Sequence, residues 1–390
     1  MKKFILPMLI PVMMLIATQS HAADKKIEFN RDIRPILSEN CYACHGPDSG
    51  SRKAGLRLDT EAGAKSKRKG NTAVVAGNAM ESELYKRIIA TDAHELMPPA
   101  KSNKKLDDNQ KALLKRWLEE GAGWEGHWAF LSVKKPEAPK VDDPSFVKNP
   151  IDNFILDKLR ENGLKHSAEA DKVTLLRRLC FDLTGLPPTP EQLKNFLADN
   201  SSKAYEALVD QLLASPNYGE RMAVFWLDLV RYADSVGYHG DQVVTVWPYR
   251  DWVIQSFNKN IPFTQFTIEQ LAGDLLPNAT TENKVASGYN RLGMMSAEGG
   301  VQDREYLAKY AAERVRNVSG VWLGTTLGCA ECHDHKFDPF TTKEFYSMEA
   351  FFADIDDNGA KPGFLYGHSQ RACKRDHKFP RQSLKDAGIK

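Results

Sequence analysis

Apolar residues recur at intervals of three and four along most of the chain, which is the spacing of one face of an α-helix. In the first third this pattern runs from Phe29 to Leu37, from Glu81 to Ile89 and from Leu106 to Leu118. Residues 46–78, rich in Gly, Ser, Lys and Asp, interrupt it and predict a loop. Alternation of apolar and polar residues, the mark of strands, is almost absent. We therefore expect a mainly α protein.

The helical spacing continues in the later part of the chain. Asn149 and Pro150 are a helix cap and a first-turn proline, and the apolar residues that follow predict a face turned toward the core. These residues are Ile151, Phe154, Ile155 and Leu159. Further helical segments are predicted for Val173 to Leu183, from Thr189 onward, and for Tyr205 to Leu213, Met222 to Tyr232, Trp247 to Phe257, Phe266 to Leu276 and Glu305 to Leu323.

The N-terminal apolar segment has a different character. Lys2 and Lys3 precede the apolar run Phe4–Ala17, and Ser20 and Ala22 are small residues at positions that a signal peptidase recognises. The run is shorter than the ~20 residues that span a bilayer, and two prolines interrupt it. We therefore expect a signal peptide at residues 1–22, no membrane span after its removal, and a periplasmic or secreted protein.

Two short CxxCH motifs carry the candidate chemistry. They are Cys41, Cys44 and His45, and Cys329, Cys332 and His333. In a c-type haem site each thiol adds across a vinyl group of the porphyrin, and the histidine binds the iron. We therefore expect haem c at each motif, with His45 and His333 as proximal iron ligands. The alternatives are a zinc site, which needs further nearby ligands, a redox dithiol, which has no need of the histidine, and a disulfide.

A second iron ligand is predicted for the first motif. Met97 follows a predicted helix and precedes Pro98 and Pro99, which stiffen the loop that would present its sulfur. We therefore expect Met97 to bind the first iron from the distal side. Core packing is the alternative role for Met97, and His94 is the competing ligand.

The second motif lies at the end of a long helical pattern, Val315 to Leu327, and has no equally clear distal ligand. The candidates are His239, Met294 and Met295, each of which is more simply a surface or core residue. His335 is too close in sequence to His333 to reach the opposite face of the same haem. It remains a candidate for hydrogen bonding to a propionate or for binding another metal.

The chain resembles the planctomycete-type cytochrome c proteins. The resemblance rests on Cys41 to Gly46, Asn149 to Asp152, Asp182 to Pro188, Ser215 to Arg221, Trp247 to Trp252, Glu269 to Pro277 and Cys329 to Pro339. It implies an N-terminal cytochrome c domain joined to a helical domain of uncharacterised role. Members usually continue into a large further C-terminal domain, so the resemblance also implies that this chain is a short form.

These observations predict the domain organisation. A class I cytochrome c-like haem domain is expected at residues 27–124, and a proline-rich and charged linker at 125–149. A larger, predominantly helical domain with the second motif is expected at 150–355, and an irregular basic tail at 356–390.

Charge bears on the partners that we expect. The net charge of +2 gives no support to nucleic-acid binding. Seven basic residues flank the predicted haem edge and would steer an acidic redox partner toward it, although such runs are often only solvated loops. They are Lys65, Lys67, Arg68, Lys69, Lys101, Lys104 and Lys105.

The favoured function is that of an exported electron carrier, since histidine and methionine ligation closes both axial positions of the first iron. One alternative is a peroxidase-like or other small-molecule oxidoreductase that uses the second haem. Another is a non-catalytic extracellular scaffold in polysaccharide handling. A group of acidic and arginine residues predicts either an active-site lining or ion pairs between helices. This group is Asp228, Arg231, Asp234, Arg250, Asp251, Glu298 and Asp303.

Overall fold

The structure is a computed structural model that describes residues 26–141, 143, 145–238, 240–296 and 302–355. The predicted signal peptide and basic tail lie outside these ranges. The described chain divides into two compact units, of which the first comprises residues up to 47 together with Ser51–Ser132, and the second continues from Val133. The division falls in the segment for which the sequence predicts a linker.

The first unit contains five α-helices and one hairpin in its described residues. The helices are α1 (Arg34–Asn40), α2 (Tyr42–His45), α3 (Glu61–Lys65), α4 (Glu83–Ile88) and α5 (Asp108–Glu119), and a π-helical turn, Phe29–Ile33, leads into α1. The hairpin pairs β1 (Lys67–Arg68) with β2 (Asn71–Thr72) in antiparallel register.

The prediction that residues 46–78 are only loop was therefore wrong. The Thr60 side chain caps α3 by accepting a hydrogen bond from the Gly63 N–H, and the hairpin turns through Lys69 and Gly70, both with positive φ. These local polar contacts stabilise short elements without an apolar period, which is why the pattern did not reveal them.

Aromatic residues hold the core of the first unit together. The ring of Phe29 stacks on Trp124 with centroids 4.2 Å apart and lies 5.8 Å from Trp117. The Trp117 indole N–H donates to the Gly123 carbonyl at 2.8 Å, so the buried ring leaves no polar group unpaired. The turn before α1, the helix α5 and the chain after it are thereby joined in one core.

The second unit is helical apart from one short hairpin in the part of the chain that the structure describes. Its helices are α6 (Pro150–Glu161), α7 (Lys172–Thr184), α8 (Pro190–Ala198), α9 (Ala204–Leu213), α10 (Pro216–Leu229), α11 (Trp247–Asn258), α12 (Phe263–Ala272), α13 (Thr281–Ala286), α14 (Asp303–Trp322) and α15 (Thr342–Glu349). The hairpin pairs β3 (Ser235–Val236) with β4 (Gln242–Val243). The prediction of a mainly α protein with a larger helical second part is confirmed.

A buried polar contact fixes the centre of the second core. The side-chain oxygen Oε1 of Gln270 accepts hydrogen bonds from the Trp226 indole N–H at 2.8 Å and from the Tyr249 hydroxyl at 2.5 Å. Gln270 is fully buried, and its amide nitrogen donates to the Phe266 carbonyl. Because every buried polar group in this contact is satisfied, α10, α11 and α12 are held in one arrangement.

One predicted core face is not buried. Ile151, Phe154 and Ile155 on α6 are exposed, and no residue of this helix is buried. The capping box between Asn149 and Asp152 explains why α6 forms where the sequence predicted it. Caps act within one turn of a helix, whereas burial depends on what packs against it, and only the former could be predicted from sequence.

The crossing of α10 and α11 yields a test of packing. A Cβ atom at Gly219 would lie 2.4 Å from the Ile254 carbonyl oxygen. Gly219→Ala should therefore destabilise the second unit by about 1–3 kcal/mol through overpacking. We expect a lower melting temperature by far-UV circular dichroism.

Gly320→Ala is the matched control, since no atom lies within 4 Å of a Cβ placed at this position of α14. An alanine there should leave the melting temperature unchanged or raise it, because glycine within a helix costs roughly 0.5–1 kcal/mol relative to alanine. Equal effects of the two substitutions would show that the close approach at Gly219 does not limit stability.

Candidate haem sites

The first motif consists of Cys41, which caps α2, and of α2 itself, a single helical turn. The N–H groups of Cys44 and His45 both donate to the Cys41 carbonyl, at 3.1 and 2.8 Å, and the Cys41 N–H donates to Leu37 at 2.8 Å. The backbone of the motif is therefore helical from Cys41 to His45. The Cys44 and His45 carbonyls accept from Lys53 and Leu58, which holds the following loop against the motif.

The two thiols of the first motif differ in environment. Cys41 is half-buried against the core of the first unit, and burial, with a smaller effect of Cys44, raises the pKa of its thiol to about 12. Cys44 is exposed. The five cysteines that the structure describes are all free thiols. Both thiols of each motif are thus available for thioether bonds.

The His45 ring is the first candidate iron ligand. Burial lowers the pKa of this imidazole, and the Lys53 backbone acts in the opposite direction. A neutral ring keeps the lone pair that a metal requires. The buried Nδ1 of His45 has no hydrogen-bond partner, and such an orphaned polar atom costs about 1–3 kcal/mol. A ring in this state fits the role of an iron ligand.

Met97 belongs to the same unit. Its side chain is half-buried, and its backbone N–H donates to the Arg87 carbonyl at 3.0 Å, which ties the loop to the end of α4. The competing His94 is exposed, and its N–H donates to the Asp92 carboxylate at 2.8 Å. The structure gives Met97 a fixed backbone position, while its binding to iron stays a prediction.

The second motif is built differently. The helix α14 ends at Trp322, and the motif begins within a separate 3₁₀-helix, Leu327–Glu331. The expectation that the motif directly follows a helix ending at Leu327 was therefore wrong. Gly324, with φ of 59°, lies between the two helices, and this left-handed position is one that apolar periodicity does not reveal.

The His333 ring is held by the backbone. Its Nδ1 lies 2.7 Å from the Asp334 carbonyl oxygen. A carbonyl only accepts, so Nδ1 is the donor, and the neutral ring keeps its lone pair on Nε2. Metal-binding histidines are commonly oriented in this way. The Asp334 carboxylate in turn accepts from the Thr342 N–H at 3.0 Å, at the start of α15.

His335 has a structural task that the sequence did not reveal. It is buried, and its Nδ1 accepts from the Asp338 N–H at 2.9 Å and the Phe337 N–H at 3.3 Å. Burial lowers the pKa of this imidazole, which keeps Nδ1 free to accept. His335 therefore organises the loop that follows the second motif.

Four charged residues of alternating sign connect directly to the second motif. Arg231 contacts Glu313, Glu313 pairs with Arg316 at 3.2 Å, and Arg316 contacts Glu331, which lies between the two cysteines. We call this set the ion-pair series. Only the spacing of Glu313 and Arg316 on one helix face is visible in the sequence.

Glu349 on α15 is a further acidic residue near the second motif. One of its carboxylate oxygens is buried without a hydrogen-bond partner. Burial, followed by the nearby Glu331 carboxylate, raises the pKa of Glu349, and Arg316 acts in the opposite direction. Nothing in the sequence pattern singled out this residue, because its proximity to Glu331 comes from the packing of α15.

The distal candidates for the second haem are not brought to a common point. Met294 is 45% exposed, and Met295 is half-buried. His239 and Glu298 lie outside the described residues, as does the side chain of Asp303. The predicted acidic and arginine group separates into local contacts, such as Arg250 with Asp251 at 3.1 Å and Asp234 with the Tyr232 hydroxyl at 2.8 Å. Neither of these contacts is an ion pair between helices.

The seven basic residues that were predicted to flank the haem edge come from two segments of the first unit, 65–69 and 101–105. Lys67 and Arg68 form β1, with Lys65 just before it and Lys69 at the turn. Lys65 pairs with Glu61 at 2.7 Å, and Lys104 lies 3.9 Å from Glu39 on α1.

The donor set fits haem at both motifs. Each has two free thiols and one imidazole with a lone pair for iron, and the porphyrin itself supplies four nitrogens. Within the described ranges, no group of three or more His, Cys, Asp or Glu side chains is arranged to hold a bare metal ion.

Comparison with known families agrees with this geometry. Residues 41–101, which include the first motif and Met97, match the family Planctomycete cytochrome C (PSCyt1). Residues 150–357, which include the second motif, match the family PSCyt2, described as a protein of unknown function (DUF1549). The second match covers more than half of the chain, and the chain therefore belongs to this family. Together the matches confirm the predicted planctomycete-type cytochrome c protein.

Neither a curated protein nor a solved structure matches the chain. Among the helices of the described part of the chain, none has both the length and the apolar character needed to cross a membrane.

The role of His335 gives a second test. His335→Leu removes the acceptor of two backbone N–H groups and should cost about 1–3 kcal/mol, because these partly buried donors lose their partner. His335→Asn is the matched control, since its side-chain oxygen can accept in place of Nδ1. We expect a lower melting temperature for leucine only. A leucine variant as stable as the wild type would contradict the assigned role.

Proposed function

We propose that this protein is an exported c-type cytochrome that binds haem covalently at both motifs and transfers electrons. The observation that carries the proposal is the first motif, where two free thiols on one helical turn precede an imidazole that burial keeps neutral. The match to a cytochrome c family over the same residues supports it.

At the first site, each chain residue has a distinct task. Cys41 and Cys44 would anchor the porphyrin, and His45 and Met97 would bind its iron. Haem supplies an iron that accepts and releases one electron. The backbone hydrogen bond from Met97 to Arg87 holds the ligand loop in place. With His45 and Met97 both bound to the iron, haem would support outer-sphere electron transfer rather than bond chemistry.

At the second site, Cys329 and Cys332 would anchor haem, and His333 would bind its iron. The hydrogen bond from Nδ1 to the Asp334 carbonyl fixes the ring and leaves Nε2 for the metal. No residue is assigned to the distal side. The motif and the oriented ring of His333 support this site.

Export is the part of the proposal that rests on sequence. The basic and apolar segments before Ala22 have the form of a signal peptide. Covalent haem attachment takes place outside the cytoplasmic membrane, so the motif and the signal support each other. The mature protein would be periplasmic or secreted.

We further propose an acidic redox partner. The charges on β1, together with Lys69 at the turn, lie on one short hairpin of the haem-binding unit. A local cluster of positive charge accelerates encounter with an acidic surface, and this effect weakens as salt increases.

Haem content is the direct test of the proposal. The mature protein should have the mass of the apoprotein plus two haems and should stain for haem on a denaturing gel. The variant Cys329→Ser with Cys332→Ser should carry one haem, and Cys41→Ser with Cys44→Ser should also carry one. A wild-type mass with a single haem would remove the second site, and a mass with none would refute the proposal.

The distal ligand of the first haem has its own test. Oxidised protein should show the weak near-infrared band of sulfur-to-iron charge transfer, and Met97→Ala should abolish the band and lower the reduction potential, because a thioether favours ferrous iron. Met80→Ala is the control, since Met80 is an exposed methionine of the same unit. A band that survives Met97→Ala would assign the position to another residue.

A further inference from the structure

A cavity of about 370 Å³ in the second unit is lined by no residue of either CxxCH motif, and Met294, a candidate distal ligand of the second iron, lies in its wall. The residues after α10, the β3–β4 hairpin, the turn Arg291–Met294 and α14 form its wall. Val236, Val244, Val246 and Leu292 make much of the lining apolar. A volume of this size is within the range of small-molecule sites, which combine apolar walls with a few polar groups.

Arg231 follows the C-terminal end of α10 and belongs to this wall. Its φ of 60° is left-handed, a conformation that commonly ends a helix. Its N–H donates to the Asp228 carbonyl, and the following N–H, of Tyr232, donates to Leu227. The backbone that ends α10 thus holds Arg231 at the cavity.

The guanidinium of Arg231 has N–H donors left for a ligand. Its contact is the carboxylate of Glu313, which also pairs with Arg316 at 3.2 Å. A guanidinium has more N–H donors than one shared carboxylate can accept. The Arg231 side chain is 50% exposed, whereas that of Glu313 is 21% exposed, so a ligand can reach the arginine.

We infer that this cavity binds a small organic carboxylate. Its carboxylate would pair with Arg231, in the fork geometry that guanidinium groups favour, and its apolar body would contact Val236, Val244 and Leu292. The assignment names the chemical class only, a monocarboxylate with a compact apolar body.

The ion-pair series connects this ligand to the second motif. A carboxylate at Arg231 competes with Glu313, and Glu313 shares Arg316 with Glu331, beside Cys332. Binding should therefore perturb the charges next to the second haem. This last step rests on the proposed function, whereas binding itself does not.

The test is calorimetric titration of the mature holoprotein with sodium benzoate, with benzyl alcohol as the uncharged analogue. We expect one benzoate per chain and much weaker binding of the alcohol. Arg231→Gln should weaken benzoate binding by about 10-fold to 100-fold. Arg250→Gln is the matched control, since Arg250 is also half-exposed and paired with one carboxylate, and it does not line the cavity.

A second variant tests the cavity itself, with folding checked separately. Val244→Phe fills the cavity and should abolish benzoate binding while circular dichroism shows an intact helical fold. Equal binding of benzoate and benzyl alcohol, undiminished binding by folded Arg231→Gln, or no benzoate binding by the wild type would each overturn the inference.

The variant Cys329→Ser with Cys332→Ser separates this inference from the proposed function. If both hold, it binds benzoate as the wild type does, and only the wild type shows a Soret shift on saturation. If the second site holds no haem, benzoate still binds, and the Soret band stays unchanged. Benzoate binding confined to the variant would assign Arg231 to a haem propionate and overturn the carboxylate site.

Discussion

An imidazole binds iron only if one ring nitrogen keeps its lone pair and the ring is held where the metal will be. The two motifs meet this requirement by different means. Burial on a helical turn keeps His45 neutral, with Nδ1 unpaired. The Asp334 carbonyl fixes the tautomer of His333 from outside the helix. In the first motif, burial of the His45 ring keeps a lone pair available. In the second motif, a backbone carbonyl that accepts from His333 Nδ1 does so.

These two supports have different electronic effects. A hydrogen bond from Nδ1 to a carbonyl makes the other nitrogen a stronger donor, which stabilises ferric iron. His333 has this bond, and His45 does not.

Sequence predicted the elements that local chemistry determines. The capping boxes at Asn149 and Thr189 begin helices where expected, and the turn from Cys41 to His45 follows from its backbone hydrogen bonds. Contacts between residues far apart in the chain could not be predicted from the sequence. The exposed face of α6, the loop organised by His335 and the proximity of Glu349 to Glu331 depend on how helices pack. The binding of Met97 to iron belongs to this second class, since it requires two segments to meet.

The composition of the first core bears on how the protein matures. All buried residues of this core lie between Phe29 and Ala122, and those of the second unit's two cores begin at Leu176. The first core therefore needs no residue that is synthesised later. At ~5–20 residues per second, Cys329 follows Cys41 by roughly 15–60 s. The first pair of thiols and every buried residue of the first core are thus synthesised before the second pair of thiols exists.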